Sequence, residues 1–146
     1  MIYLLYGQPG SGKTSLGMMM TAILQTPFHI DGDEFRSFFK NKDYGFGGRK
    51  KNIRAANATA TFLNKTRPEP VVMSMVSPYK QFREELKEDN EGEVVDIYLD
   101  AKDRGHYREE YWVKDFEIGN PKLTVATNKP LEETWNKYRA EILAQP

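Results

Sequence analysis

Ile2-Tyr3-Leu4-Leu5-Tyr6-Gly7-Gln8-Pro9-Gly10-Ser11-Gly12-Lys13-Thr14-Ser15 is the stretch on which the fold turns. Ile2 to Tyr6 is an unbroken apolar and aromatic run of strand type. Gly7 to Thr14 then matches G-x-x-x-x-G-K-T/S in full, and a helical pattern runs on from about Gly12 to Leu24. A strand before and a helix after are the context in which this motif wraps a triphosphate. The glycines let the backbone curl so that several N–H groups face phosphate oxygens, and the positive end of the following helix adds to the attraction. On this reading Gly7, Gln8, Pro9, Gly10, Ser11, Gly12, Lys13, Thr14 and Ser15 bind ATP. Lys13 reaches the β- and γ-phosphates, and the Thr14 hydroxyl ligates magnesium, Mg2+. The bland alternative is a glycine-rich turn with Lys13 facing solvent, and the flanking strand and helix argue against it.

Four further apolar runs, Phe28 to Ile30, Val71 to Val76, Val94 to Leu99 and Leu123 to Ala126, fit buried strands. Helical patterns fill the gaps at about Asp33 to Lys40, about Arg49 to Lys65, Ser77-Pro78 through Leu86, and about Pro130 to Leu143. Ile53, Ala56, Ala60 and Leu63 fall three or four apart and make one apolar stripe, expected in the core, and Met18, Met19 and Met20 are expected to fill core gaps. Ser77 offers a favourable N-cap, with Pro78 at the first helical position. Strands alternating with helices imply parallel pairing through right-handed crossovers. The expected fold is α/β, a three-layer P-loop nucleoside triphosphate hydrolase/kinase fold with a mainly parallel five-stranded sheet. It forms one domain over residues 1–146, with ligands at the carboxyl ends of the strands. Residues 101–120, crowded with charge and lacking a strand pattern, read as a flap or lid.

At 146 residues the chain suits one sizeable core. Its 21 basic and 21 acidic side chains cancel, so no global field holds it on nucleic acid or an anionic membrane, and any polyanion contact has to be local. With no cysteine, disulfides, thiolate metal sites and cysteine nucleophiles are excluded. His29 and His106 do not form a metal-ligand spacing; the first is expected beside its strand, the second in the flap. No apolar stretch approaches membrane-spanning length and the N-terminal run lacks the pattern of a secretory leader, so a soluble cytoplasmic protein is the expectation.

A P-loop alone does not separate kinases from switches or motors. Asp31-Gly32-Asp33 follows the second strand, so its carboxylates should project from the same sheet edge as the P-loop, where an acceptor hydroxyl would be presented. Phosphoryl transfer calls for a carboxylate that orients the hydroxyl or accepts its proton. Asp31, nearer the strand end, is the candidate. Asp33 either holds magnesium through water or caps the next helix, and without the P-loop the whole triplet would read as a turn. Arg36, Phe46, Arg49, Asn52 and Ser77 sit around this edge and suit a negatively charged acceptor, arginine by bidentate oxyanion binding and the ring by stacking on a base. Ser77 fits an anion contact and a helix cap equally.

These segments together resemble the adenylylsulfate kinases, which transfer the γ-phosphate of ATP to the 3′-hydroxyl of adenosine 5′-phosphosulfate. Gly7 to Thr14 is similar to the family's P-loop, and Asp31-Gly32-Asp33-Glu34-Phe35-Arg36 to its D-G-D-x-hydrophobic-R segment. Tyr44-Gly45-Phe46 with Arg49-Lys50-Lys51-Asn52-Ile53-Arg54 resembles its L-G-F and R-x-x-N-I-R-R pair, and Val76-Ser77-Pro78-Tyr79-Lys80 through Arg83 its I-S-P-Y-R segment. The resemblance implies Asp31 as catalytic base, Lys13 and Ser77 as further catalytic groups, and Asp33, Arg36, Phe46, Arg49 and Asn52 as acceptor-binding residues. It places Arg104 or Arg108 on the transferring phosphoryl group of ATP and Trp112 or Tyr111 as a second ring over the acceptor base. The flap departs most from the family, holding only Lys102-Asp103-Arg104-Gly105-His106-Tyr107-Arg108 and Tyr111-Trp112-Val113-Lys114-Asp115-Phe116-Glu117 where two longer family motifs belong. A small nucleotide substrate is implied, and a homodimer.

Three readings of function follow from the residues and the resemblance together. The leading one is an ATP-dependent adenylylsulfate kinase. The second is a related P-loop kinase for another hydroxyl, on a nucleoside, a sugar or a modified polynucleotide base, motivated by the short flap and the cluster Arg49, Lys50, Lys51 and Arg54. Given the zero net charge, that cluster reads as a solvated helix face rather than a nucleic-acid site, and no nucleic-acid partner is expected. The third is a nucleotide-binding switch without catalysis, disfavoured by the presence of Asp31, Arg36, Asn52 and Ser77.

Overall fold

The computed structural model describes residues 1–101 and 112–145. In chain order the elements are β1 (Ile2–Tyr6), α1 (Lys13–Leu24), β2 (His29–Asp31), α2 (Gly32–Phe38), α3 (Phe46–Thr66), β3 (Val71–Met75), α4 (Lys80–Asp89), β4 (Val94–Asp100), β5 (Leu123–Ala126) and α5 (Leu131–Leu143). The sheet order is β2-β3-β1-β4-β5, with every pairing parallel. Parallel strands need crossovers, and the helices that supply them leave both faces of the sheet covered.

β1 lies at the centre, in register with β3 from Ile2 against Val71 to Tyr6 against Met75, and with β4 from Ile2 against Val94 to Tyr6 against Tyr98. Its period-two alternation splits the core. Ile2, Leu4 and Tyr6 join the stripe Ile53, Ala56 and Ala60 of α3 and Phe82 and Leu86 of α4 on one face. Tyr3 and Leu5 join Leu16 and Met20 of α1 and Trp135 and Ile142 of α5 on the other. The three-layer reading therefore holds, and the α3 stripe is buried as its spacing predicts, with Leu63 partly buried beside it. Among the described residues no helix is long and apolar enough to cross a membrane.

Several local expectations are corrected. α4 begins at Lys80, not at Ser77-Pro78. Ser77 has φ 38°, and its carbonyl accepts from Arg83 Nη1 at 2.7 Å, while the Pro78 carbonyl accepts from Glu117 N at 2.8 Å. A distant glutamate caps the helix instead, Lys80 N donating to Glu117 Oε1 at 3.2 Å. α2 is capped by Asp31, whose Oδ1 accepts from the N–H groups of Asp33 and Glu34, so the capping role falls to the first aspartate of the triplet. Met18 is 62% exposed rather than core, whereas Met20 is fully buried. The cluster on α3 is not one solvated face: Arg49 is buried, and Arg54 pairs with Glu85 at 2.9 Å.

Arg104, Arg108, His106 and Tyr111 lie outside the described residues. Of the expected flap, 112–120 is irregular and folded back: Val113 is buried and the Phe116 ring stacks on Tyr6 at 6.3 Å.

Candidate active site

The phosphate loop joins the carboxyl end of β1 to α1. Gly10 and Gly12 have φ of 82° and 93°, the left-handed region that residues with a Cβ enter at a cost. α1 starts at Gly12 without a side-chain cap. Its first-turn N–H groups have no intrahelical partners, and anions bind at such an end. Lys13 is buried at 9% exposure and folds back on the loop, Nζ donating to the Gln8 carbonyl at 2.8 Å and to Ser11 Oγ at 3.3 Å. Gln8, read as a phosphate ligand, turns its side chain elsewhere: Nε2 donates to the Val113 carbonyl at 2.7 Å, and Oε1 accepts from Val113 N at 3.0 Å.

A cavity of about 390 Å³ opens between this loop and the start of α3. On the loop side its wall includes Pro9, Gly10, Gly12, Lys13, Thr14 and Ser15. Gly7, Gln8 and Ser11 are not part of that wall, and Ser11 is buried beneath it. Asp31 and Asp33 follow from β2 and α2, then Arg36, Tyr44, Arg49 and Asn52, with Ser77 closing the circuit.

The Thr14 hydroxyl donates to Asp31 Oδ2, while Asp31 Oδ1 caps α2. One carboxylate thus joins the phosphate loop to the first turn of α2. Two hard oxygen donors in contact beside a triphosphate cradle fit Mg2+, which takes one or two protein oxygens and fills its octahedron with phosphate and water. Among the described residues no group of three or more His, Cys, Asp or Glu is gathered for an all-protein metal cage.

The wall opposite the loop carries two arginines. Arg36, at the end of α2, is buried; its Nη1 donates to the Asn41 carbonyl, to Asn41 Oδ1 and, at 2.7 Å, to the Asp43 carbonyl, and the guanidinium lies 4.2 Å from the Tyr44 ring centroid. Arg49, in the first turn of α3, donates from Nε to the Tyr44 carbonyl at 2.8 Å and stands 5.8 Å from the same ring. Burial lowers the Arg49 pKa from its ordinary value, and the neighbouring Arg36 charge acts in the same direction. An anion bound here would meet two guanidinia held by the fold.

Asn52 is 7% exposed; Nδ2 donates to the Gly32 carbonyl at 3.3 Å, and Oδ1 is buried without a partner. Such an acceptor is costly unless a ligand donor reaches it.

Phe46 and Trp112 stand apart from this wall. Phe46 is 54% exposed, its ring edge-on to Tyr79 at 4.9 Å, and Trp112 is 38% exposed. The ring that lines the cavity is Tyr44, two residues before the one singled out in the sequence, and nothing in the pattern distinguishes Tyr44 from Phe46.

The sequence does not mark Arg83 as a site residue either. Only 2% exposed, it donates to the carbonyls of Ser77, Glu117 and Ile118 and lies 4.2 Å from the Tyr6 ring centroid. It thereby ties Ser77 to the 113–118 segment. Beneath the loop, His29 Nε2 and Ser74 Oγ are 2.7 Å apart, and the Ser74 hydroxyl donates to the Lys13 carbonyl at 3.0 Å. The serine proton being used there, His29 is the donor in this pair.

Solved structures show the same fold. The APS kinase CysC of Mycobacterium tuberculosis, in complex with AMPPNP and APS, superposes with a TM-score of 0.80 at 18% identity, over 98% of this chain and 97% of that one. A gluconokinase from Sinorhizobium meliloti 1021 gives 0.72 at 21% identity, over 97% and 90% of the two chains. The shikimate kinase of Aquifex aeolicus gives 0.67 at 16%, over 98% and 96%. No curated protein sequence matches significantly. Residues 1–111 match the family model described as adenylylsulphate kinase, and the chain belongs to that family of P-loop kinases.

Proposed function

We propose that this protein transfers the γ-phosphoryl group of ATP to the 3′-hydroxyl of adenosine 5′-phosphosulfate. The observation that carries the reading is the Asp31 carboxylate, hydrogen-bonded to Thr14 of the phosphate loop and lining a cavity that continues to Arg36, Arg49 and Asn52. Family membership supports it, and so does the likeness to a kinase whose structure holds AMPPNP and APS.

ATP would lie with its phosphates over Gly10 to Ser15, drawing Lys13 Nζ from the Gln8 carbonyl onto the β- and γ-oxygens. Magnesium, held by Thr14 and through water by Asp31 or Asp33, would neutralise charge on those oxygens. The acceptor's sulfate and phosphate would meet Arg36 and Arg49, and Tyr44 offers the ring for its base. The 3′-hydroxyl, oriented by Asp31, attacks the γ-phosphorus in line. The new O–P bond forms as the bond to the β,γ-bridging oxygen breaks, ADP leaves, and the hydroxyl proton passes to Asp31 and then to solvent. Ser77, Arg104 and Arg108 are proposed to steady the transferring group, the two arginines from 102–111.

A coupled assay of ADP release with ATP and adenylylsulfate tests this. Turnover well above an Asp31→Asn control is expected. No turnover with adenylylsulfate, together with turnover on another hydroxyl compound, would transfer the reading to a related acceptor. That second reading draws on Phe46, which packs against Tyr79 outside the cavity wall and leaves Tyr44 as the one ring lining the cavity among the described residues.

A further inference from the structure

Residues 36–51 carry six basic side chains, Arg36, Lys40, Lys42, Arg49, Lys50 and Lys51, against the single acid Asp43, in a chain whose net charge is zero. The fold sorts them. Arg36 and Arg49 are buried at the acceptor cavity, whereas Lys40, Lys42 and Lys51 are exposed.

These three lysines line a second cavity, of about 490 Å³, which shares Asn52 with the first. Asp43, the acid within it, is used internally: Oδ1 accepts from Gly45 N at 2.8 Å. Among the described residues none of the three lysines is in an ion pair. Beside them two phenylalanines face water, Phe38 at 78% exposure and Phe39 at 63%, the latter backed by Phe35 at 5.0 Å between ring centroids.

Solvated lysines are ordinary and so is a lone exposed ring. Neighbouring rings standing out of a cationic rim are not, and the combination restricts the occupant. A small anion would neutralise the lysines and leave Phe38 and Phe39 wet. A second copy docking by this face around a two-fold axis would bring the same lysines together, which like-charge repulsion opposes. A single-stranded polynucleotide satisfies both features, its phosphates on the lysines and its bases on the rings.

We propose that the face formed by Phe38, Phe39, Lys40, Lys42 and Lys51 binds single-stranded nucleic acid, on a path that leads to the acceptor cavity at Asn52. The surface is independent of which hydroxyl the enzyme phosphorylates, and its binding is measured without ATP or any acceptor.

The test is fluorescence anisotropy of a labelled oligo-dT on the full chain over a salt series. With about three phosphates neutralised, log K should fall against log salt with a slope of about −2. Lys40→Glu with Lys42→Glu should abolish binding. Phe38→Ser and Phe39→Ser should each weaken it roughly ten-fold, the lower part of the range for one lost base stack, with unchanged melting temperature. Absence of binding at low salt overturns the proposal. So does a phenylalanine-independent affinity matched by dextran sulfate, which would mark a site for charge alone. Conversion of a dimer to a monomer by Phe38→Ser in sedimentation would assign the face to a second copy instead.

Discussion

The side-chain amide of Gln8 pairs with both backbone groups of Val113, donating to its carbonyl at 2.7 Å and accepting from its N–H at 3.0 Å. A residue inside the phosphate-loop motif thus behaves like a strand partner for the segment that returns to the sheet after 102–111. Because the Gln8 carbonyl also accepts from Lys13 Nζ, the lysine proposed to move to the triphosphate and the returning segment share one anchor residue.

Gln8→Ala should leave two polar groups of a residue only 6% exposed without partners, at a cost of about 1–3 kcal/mol. Hydrogen exchange at Val113 should accelerate and the KM for ATP should rise, while the remaining loop still closes on phosphate. Unchanged protection at Val113 would show that the pairing does not hold the segment.

Asp31 caps α2 and is proposed to act in the chemistry, two purposes that substitution can separate. Asn at this position keeps an oxygen able to cap α2, so the melting temperature should hardly move, whereas turnover should fall roughly 10²- to 10⁴-fold with the loss of a proton acceptor. Asp31→Ala should lose the cap as well, about 1 kcal/mol further. Melting curves and steady-state rates on both variants decide it. Equal turnover in wild type and Asp31→Asn would remove the carboxylate from the chemistry.

Gly17 packs where α1 crosses β2 and β3, and a Cβ there would fall inside van der Waals distance of Ser74 Oγ and His29 Nε2. Gly17→Ala should therefore destabilise by roughly 1–3 kcal/mol, because a close-packed interior resists even one added carbon. Thermal denaturation measures it. A gain in stability, which helix propensity alone would give, would show that the His29–Ser74 pair yields freely.

The phosphate loop was legible because its signal is local: strand, glycines, Lys13-Thr14 and helix are contiguous. The sheet was legible for a related reason, since strands buried on both faces read as short apolar runs. The start of α4 was not, because Ser77-Pro78 is a good local helix signal overruled by Arg83, six residues later, which binds the Ser77 carbonyl and holds it at φ 38°. The identity of the cavity ring was hidden for the same kind of reason. Tyr44 is chosen over Phe46 by two arginines on different helices, a contact that no spacing encodes.

His29 makes stability depend on pH. Burial lowers its pKa below the ordinary 6.5, against the opposing pull of Asp31 and Glu34. Above that value folded and unfolded chains both hold it neutral. As pH falls below 6.5 the unfolded chain takes up the proton first, so stability declines until the folded-state pKa is passed, and then levels off. Urea titrations across this window should show the decline, and His29→Gln, which retains an amide donor for Ser74, should flatten it. An identical slope in the variant would assign the dependence to another group.

Arg83 is the last case, and the geometry makes the outcome specific. Its guanidinium is buried among the carbonyls of Ser77, Glu117 and Ile118, on the face of a Tyr6 ring whose own hydroxyl donates to Ile118 O at 2.6 Å. Desolvation lowers the Arg83 pKa, with Tyr6 and Asp96 acting oppositely. Its charge is tolerated because the carbonyls stand in for water. Arg83→Met fills the volume and removes the donors, so three acceptors lose their partner together; the expected loss is about 3 kcal/mol. In a chain of this size that corresponds to roughly 10 °C in Tm. Arg83→Lys keeps a charge but has no fork to span Ser77 and Ile118, and should fall between. Because Ser77 lines the cavity proposed to take the acceptor, the KM for the acceptor should rise in Arg83→Lys more than the KM for ATP. A purely structural residue would lower active-enzyme concentration and leave both constants unchanged.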